Sequence, residues 1–99
     1  MNDISRSQEA RKLYNALSVT LIPQRMHDGI VRYITHRIAP GHFLSAVIQN
    51  DLKQACSRAD DENRHLLWEY VVFFYNHAPM GCWGSVQKFD DWLKGSEDE

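Results

Sequence analysis

The stretch Leu66-Leu-Trp-Glu-Tyr-Val-Val-Phe-Phe-Tyr75 decides the fold, because only the glutamate interrupts ten otherwise apolar positions. A strand over residues 70–75 is the alternative, since aromatic and β-branched residues favour strands. However, the helical spacing of apolar residues begins upstream of residue 70, and the rest of the chain offers no partner strand. We therefore predict a helix. Because it is apolar on nearly every side, we expect the other helices to surround it.

The predicted boundaries of this helix follow from the residues beside it. Asp60 is a good N-cap, and Asp61 and Glu62 suit the positive end of the helix dipole. The apolar spacing extends to about His77. The helix is therefore expected over residues 61–77, and it is the fourth along the chain.

Three amphipathic helices are predicted upstream, over residues 5–19, 23–37 and 42–57. Ser5 or Ser7 suits the first N-cap, and Ala39-Pro40-Gly41 separates the second helix from the third. Gly29, inside the second helix, suggests a close helix crossing. A fifth helix is expected from a Ser85 cap to about Lys94, with Gly95 as its stop signal.

The pattern as a whole predicts an all-α single domain of about five helices around the apolar fourth helix. The 99 residues, of which 43% are hydrophobic, suit one small globular core. The ends, residues 1–4 and 96–99, are expected to be frayed. With no leader-like start, no membrane-length apolar run and only Cys56 and Cys82, we expect a cytoplasmic protein with free thiols.

The connection Asn76-His-Ala-Pro-Met-Gly-Cys-Trp-Gly-Ser85 carries the densest backbone punctuation in the chain. Pro79 fixes its own φ angle, whereas Gly81 and Gly84 can adopt angles that other residues resist. We therefore expect a rigid loop and not a flexible linker. It is expected to present Met80 or Trp83 at the surface, with Trp83 pointing into the core as the alternative.

The sequence contains no catalytic signature, and we predict neither a cofactor nor a metal site. His77 and Cys82 are the only local candidates for a metal or nucleophile pair, but structural zinc normally needs four ligands in recognisable pairs. We expect His77 to end its helix and Cys82 to pack as a small apolar group. A metal-dependent enzyme is therefore the least favoured class.

DNA binding is the principal alternative function. The second and third helices resemble a helix-turn-helix, and helix 42–57 would offer base-reading side chains from His42, Ser45, Gln49 and Lys53. A net charge of −2 gives no support to it, because nucleic-acid-binding domains are usually basic.

Protein binding fits the composition better. Tryptophan, tyrosine, methionine and arginine are the residues that most often anchor interfaces. Met80 and Trp83 on a stiff loop would be presented at low entropic cost. Arg25 and Arg32, seven residues apart on the second helix, complete the predicted partner-binding surface.

Several stretches between residues 22 and 93 resemble a family of small proteins encoded by tailed phages and prophages. They are the segments Met26–Ile34 and Ile38–Val47, Asn50-Asp-Leu, Arg58-Ala-Asp and the connection 75–85. Among such proteins, the chain resembles the anti-RecBCD accessory class of P22-like Salmonella phages.

The resemblance implies a non-enzymatic protein of the bacterial host cytoplasm that binds the host RecBCD nuclease-helicase and protects phage DNA ends. It transfers no catalytic residues, since the class has no catalytic motif.

The Ala-Pro bonds at Pro40 and Pro79 can exchange slowly between cis and trans. They make a host prolyl isomerase a further candidate partner.

Overall fold

Seven α-helices and two single-turn 3₁₀ helices build the described part of the chain in the computed structural model, which covers residues 3–95 and the side chains of residues 6–95. The α-helices are α1 (Asp3–Leu17), α2 (His27–His36), α3 (His42–Ile48), α4 (Leu52–Arg58), α5 (Asp61–Arg64), α6 (Leu67–His77) and α7 (Val86–Lys94). The 3₁₀ helices are Gln24–Met26 and Met80–Cys82. No strand occurs between residues 3 and 95, which confirms the predicted all-α class.

Two of the predicted helix caps are confirmed. The Asp60 carboxylate accepts a hydrogen bond from the Asn63 amide at 2.8 Å, and the Ser85 hydroxyl accepts one from the Lys88 amide at 3.1 Å. The stop at Gly95 is also confirmed.

The predictions for the two chain ends are not confirmed. The predicted cap at Ser5 or Ser7 is wrong, because α1 already begins at Asp3. Of the ends predicted to be frayed, residues 1–2 and 96–99 lie outside the described residues, and residues 3–4 belong to α1.

The predicted third helix, 42–57, is wrong as one continuous element. It is divided into α3 and α4 at Asn50, which adopts a left-handed conformation with φ 63°. The Asp51 amide then donates to the Ala46 carbonyl at 2.9 Å, while the Asp51 carboxylate accepts from the Gln54 amide and caps α4. Asparagine tolerates the left-handed conformation better than other non-glycine residues, so Asn50-Asp51 ends one helix and starts the next.

The predicted fourth helix is also divided, into the single turn α5 and the longer α6. Across the break, the hydroxyl of Tyr70 donates to the side-chain oxygen of Asn63, and both residues are buried. This bond satisfies a polar group inside the core and holds α5 against α6.

One face of α6 forms the centre of the core. Tyr70, Phe73 and Phe74 are at most 1% exposed, and the Tyr70 ring meets Phe43 of α3 edge to face at 5.2 Å. Helices α1, α2, α3, α4 and α7 contribute buried side chains to the same cluster, which includes Leu13, Leu17, Ile30, Tyr33, Ile34, Ile48, Ala55 and Phe89.

The prediction that the other helices surround the apolar helix is wrong for its opposite face. There Trp68, Val71, Val72 and Tyr75 are between 47% and 78% exposed. Val71 and Val72 are each three or four residues from Trp68 and from Tyr75, so the four residues lie on one side of the helix. We call them the α6 face.

The crossing near Gly29 is looser than predicted. A β-carbon added to Gly29 would lie 3.5 Å from the Leu44 Cδ1 atom, which is an ordinary van der Waals distance. The glycine is therefore not required for the approach of α2 to α3.

Candidate functional site

The connection between α6 and α7 is a fixed corner of the fold. Pro79 begins it with φ −59°, the turn Met80–Cys82 follows, and Gly84 has φ 111°. Gly84 therefore needs a conformation that side chains resist, as predicted, whereas Gly81 is not among the residues with positive φ.

Two hydrogen bonds hold this corner to the core, and the first of them is buried. The Tyr33 hydroxyl donates to the Cys82 carbonyl at 2.7 Å, and the Gly84 amide donates to the Ile48 carbonyl at 2.7 Å. Because the bonds reach α2 and the end of α3, the loop is anchored to two separate helices. Its backbone is therefore organised before any partner binds.

Trp83 takes neither of the two extreme positions considered for it. It is half-buried, and its ring centroid lies 5.8 Å from that of Phe74, so part of it packs against the core. It also lines an open hollow on the surface.

This hollow, which we call the loop hollow, has a volume of about 630 Å³ and is lined by Tyr75, Ala78, Met80, Trp83, Gly84 and Lys88. Tyr75 and Met80 are 78% and 81% exposed, so two large side chains stand at its edge. Lys88 is the charged residue of this lining, and its amino group donates to the Met80 carbonyl at 3.4 Å. Such a site is suited to binding an apolar side chain, and the ammonium group of Lys88 lies beside the place where it would bind.

The structure joins only half of the predicted partner-binding residues. Met80 and Trp83 share the loop hollow, but Arg25 and Arg32 are not among its lining residues. Arg25 instead donates to Asp60 at 2.7 Å and to Glu62 at 3.0 Å. The hydrogen bond with Glu62, followed by that with Asp60, raises the pKa of the Arg25 guanidinium. The guanidinium is therefore already paired within the chain.

Arg32 is exposed on α2, close to the pair in which the Tyr14 hydroxyl donates to Asp28 at 2.7 Å. This hydrogen bond is the main cause that raises the pKa of Tyr14. The site therefore reduces to the loop residues, with Arg32 on a different part of the surface.

The four residues predicted to read DNA do not share a helix. His42 and Ser45 belong to α3, Gln49 ends it, and Lys53 belongs to α4 after the break. The Ser45 hydroxyl also donates to the Pro40 carbonyl at 3.3 Å. The single polar helix face on which the DNA-binding alternative was based is therefore absent from the described residues.

His77 and Cys82 do not form a catalytic or metal-binding pair. The His77 ring packs 5.4 Å from Phe73, whereas Cys82 is fully buried, as predicted for a packing residue. Burial raises the pKa of the Cys82 thiol to about 12, which makes it a poor nucleophile at neutral pH. In the part of the chain that the structure covers, no three potential metal-ligating side chains cluster together.

The α6 face is the feature that sequence reasoning missed. It joins the loop hollow through Tyr75, which belongs to both. On its other side, beside Val71, a small pit of about 50 Å³ lies between α4 and α6, with Leu52, Ala55 and Leu67 in its walls. The spacing of tryptophan, two valines and tyrosine was visible in the sequence, but it was assigned to the core because it lies opposite an equally apolar face.

Comparison of the chain with protein-family models, with curated proteins and with solved structures found no match in any of the three. Between residues 3 and 95, no helix has both the length and the apolar character to cross a membrane.

Proposed function

We propose that this chain is a non-enzymatic phage protein that binds a host protein through the loop hollow and modifies its activity. The specific target proposed is the RecBCD nuclease-helicase in the bacterial host cytoplasm. Binding would inhibit or alter RecBCD and so protect the ends of phage DNA.

The observation that carries a binding function is the exposed edge of the loop hollow. Tyr75 and Met80 are largely exposed, yet the loop that carries Met80 is held at Cys82 and Gly84 by the hydrogen bonds to Tyr33 and Ile48. Because the backbone is already fixed, binding through these side chains costs little further backbone entropy, and large exposed side chains are typical interface anchors.

The lining of the loop hollow indicates what the partner must offer. Aromatic and thioether walls favour an aromatic or aliphatic side chain, and Lys88 at the edge favours an acidic group next to it. The expected recognition element is therefore an apolar side chain with a neighbouring carboxylate on the surface of the partner.

The identity of the partner rests on the resemblance to anti-RecBCD accessory proteins of tailed phages. That resemblance includes the connection 75–85, which supplies Tyr75, Ala78, Met80, Trp83 and Gly84 to the loop hollow. The same residues therefore support both a binding site and its proposed partner.

Affinity capture from host lysate, followed by mass spectrometry, tests the proposal. The tagged wild-type chain is expected to recover RecBCD subunits, and Met80→Ala is expected to reduce their recovery at least about tenfold, as for an interface anchor. Val19→Ala is the matched control, because Val19 is 85% exposed and lies on the connection between α1 and α2. Recovery of no RecBCD subunit by the wild type would refute the proposed target.

A host prolyl isomerase is a further proposed partner. Ala78, which precedes Pro79, lines the loop hollow, and the peptide bonds before Pro40 and Pro79 are both trans. The same capture experiment tests this partner, because Pro79→Ala should remove an isomerase that recognises the loop. Recovery of no isomerase by the wild type, or its retention by a chain that carries both Pro79→Ala and Pro40→Ala, would refute it.

A further inference from the structure

The α6 face has a symmetric pattern of side-chain size. It reads Trp68-x-x-Val71-Val72-x-x-Tyr75, with a large aromatic residue at each end and two small residues in the middle. The sequence of sizes is the same in both directions along the helix. An apolar helix face with this property can pack against an antiparallel copy of itself.

We propose that two copies of this chain form a dimer by packing their α6 faces antiparallel about a two-fold axis. The axis passes between Val71 and Val72, so Val71 of one copy meets Val72 of the other. In the same register, Trp68 of one copy meets Tyr75 of the other. Small residues at the centre let the helices approach closely, and the aromatic residues cover the ends of the contact.

The exposed area is consistent with a dimer of moderate affinity. A fully exposed aromatic side chain presents about 150–250 Å², so Trp68 and Tyr75 together leave about 250–300 Å² uncovered. With the two valines and Leu52, which is 69% exposed, each copy offers on the order of 500 Å² of apolar surface. Two copies would bury about 1,000 Å² in total, which is near the lower limit for a specific interface.

Charge does not oppose this pairing. Between Leu66 and Asn76, the only charged residue is Glu69, which is 9% exposed and lies outside the α6 face. The centre of the contact therefore buries no unpaired charge from α6, whereas Asp51 beside Leu52 and Lys88 beside Tyr75 lie at its margins.

Sedimentation equilibrium of the full chain tests the dimer directly. We expect the mass to rise from the chain's 11.6 kDa toward twice that value, with a dissociation constant of about 1–50 µM. A mass that stays at that of one chain up to about 200 µM would overturn the proposal.

Two charged variants test which surface forms the dimer. Val72→Glu should weaken association by about thirtyfold or more, because it places two carboxylates beside the axis. Val72 is about half-exposed in the single chain, so its replacement by glutamate should not disturb the fold. Circular dichroism checks this. Val19→Glu is the control and should dimerise like the wild type. Unchanged dimerisation of Val72→Glu would overturn the assignment to the α6 face.

The antiparallel register has its own test. Val71→Lys and Val72→Glu should each be monomeric alone, but an equimolar mixture should dimerise, because the introduced ammonium group of one chain then faces the introduced carboxylate of the other. Failure of the mixture to associate, when the wild type does, would overturn the register.

The dimer does not depend on the proposed host partner, and the two proposals can fail separately. Met80→Ala is expected to lose the host partner but to dimerise normally, because Met80 is not part of the α6 face. Val72→Glu is expected to be monomeric. Tyr75 belongs to both surfaces and is left unchanged in these tests.

Discussion

Removal of one hydroxyl group should loosen the loop that forms the proposed binding site. In Tyr33→Phe, the ring still stacks on Phe89, with 5.6 Å between the ring centroids, so the apolar contribution of the side chain is retained. What is lost is the 2.7 Å hydrogen bond to the carbonyl of Cys82. Both residues are fully buried, so no bulk water can replace the missing donor.

The expected loss follows from the cost of an unsatisfied buried carbonyl, which is about 1–3 kcal/mol. For a domain of this size, 1 kcal/mol shifts the melting temperature by about 4–8 °C, so we expect a decrease of roughly 4–24 °C. The affinity for the partner should also fall, by about threefold to tenfold, because the loop then loses more entropy on binding. No residue that touches the partner is altered.

Urea unfolding measures the change, with Tyr75→Phe as the control. Tyr75 is 78% exposed, so removal of its hydroxyl should change the free energy of unfolding by less than about 0.5 kcal/mol. If Tyr33→Phe also stayed within about 0.5 kcal/mol of the wild type, the bond to Cys82 would not be what anchors the loop.

Three further predictions concern stability and reactivity. Gly29→Ala should raise the free energy of unfolding by about 0.5–1 kcal/mol, since the new β-carbon makes only ordinary contact with Leu44; a lower melting temperature would contradict this. The Asn63 amide, and then Arg25, lower the pKa of Asp60 below 3.8, so the stability it contributes is present above that pH and is lost as pH falls. Asp60→Asn keeps a helix cap, so its stability should decline less in acid than that of the wild type, and parallel acid unfolding curves would refute the assignment. A thiol reagent should label exposed Cys56 quickly and buried Cys82 only after unfolding, so rapid labelling of both would show that the loop opens.

Local signals in the sequence predicted the fold class and several helix ends. Asp60, Ser85 and Gly95 act through hydrogen bonds or backbone angles within three residues, so their roles can be predicted without knowledge of the tertiary structure. The apolar spacing also predicted the core residues Tyr70 and Phe73.

The breaks inside two predicted helices could not be read from spacing alone. Apolar residues continue through Asn50-Asp51 and through His65-Leu66 with little change of period, although the chain turns at both places. At Asn50 the left-handed conformation ends α3, and the Asp51 carboxylate then caps α4.

The α6 face was missed for a different physical reason. A helix with two apolar faces is most stable when both are covered, so burial was the natural expectation for Trp68 and Tyr75. Coverage of both faces requires enough helices on both sides, and between residues 3 and 95 the other elements pack against one face only. A second chain would cover the other face.

The loop hollow was predicted in part. The sequence predicted the constrained backbone of residues 76–85 and the exposure of Met80 or Trp83, of which Met80 is the more exposed. The contributions of Tyr75 and Lys88 do not, because they come from the adjoining helices and meet the loop only in the folded chain.

Titration calorimetry with purified RecBCD tests the central claim of a host-binding protein most directly. The wild-type chain should bind at a stoichiometry fixed by the number of RecBCD sites. Met80→Ala should raise the dissociation constant by about tenfold or more, whereas Val19→Ala should leave it unchanged. An absence of heat and of any effect on RecBCD nuclease activity would contradict the proposed target. Equal affinities for all three chains would contradict the assignment of binding to the loop hollow.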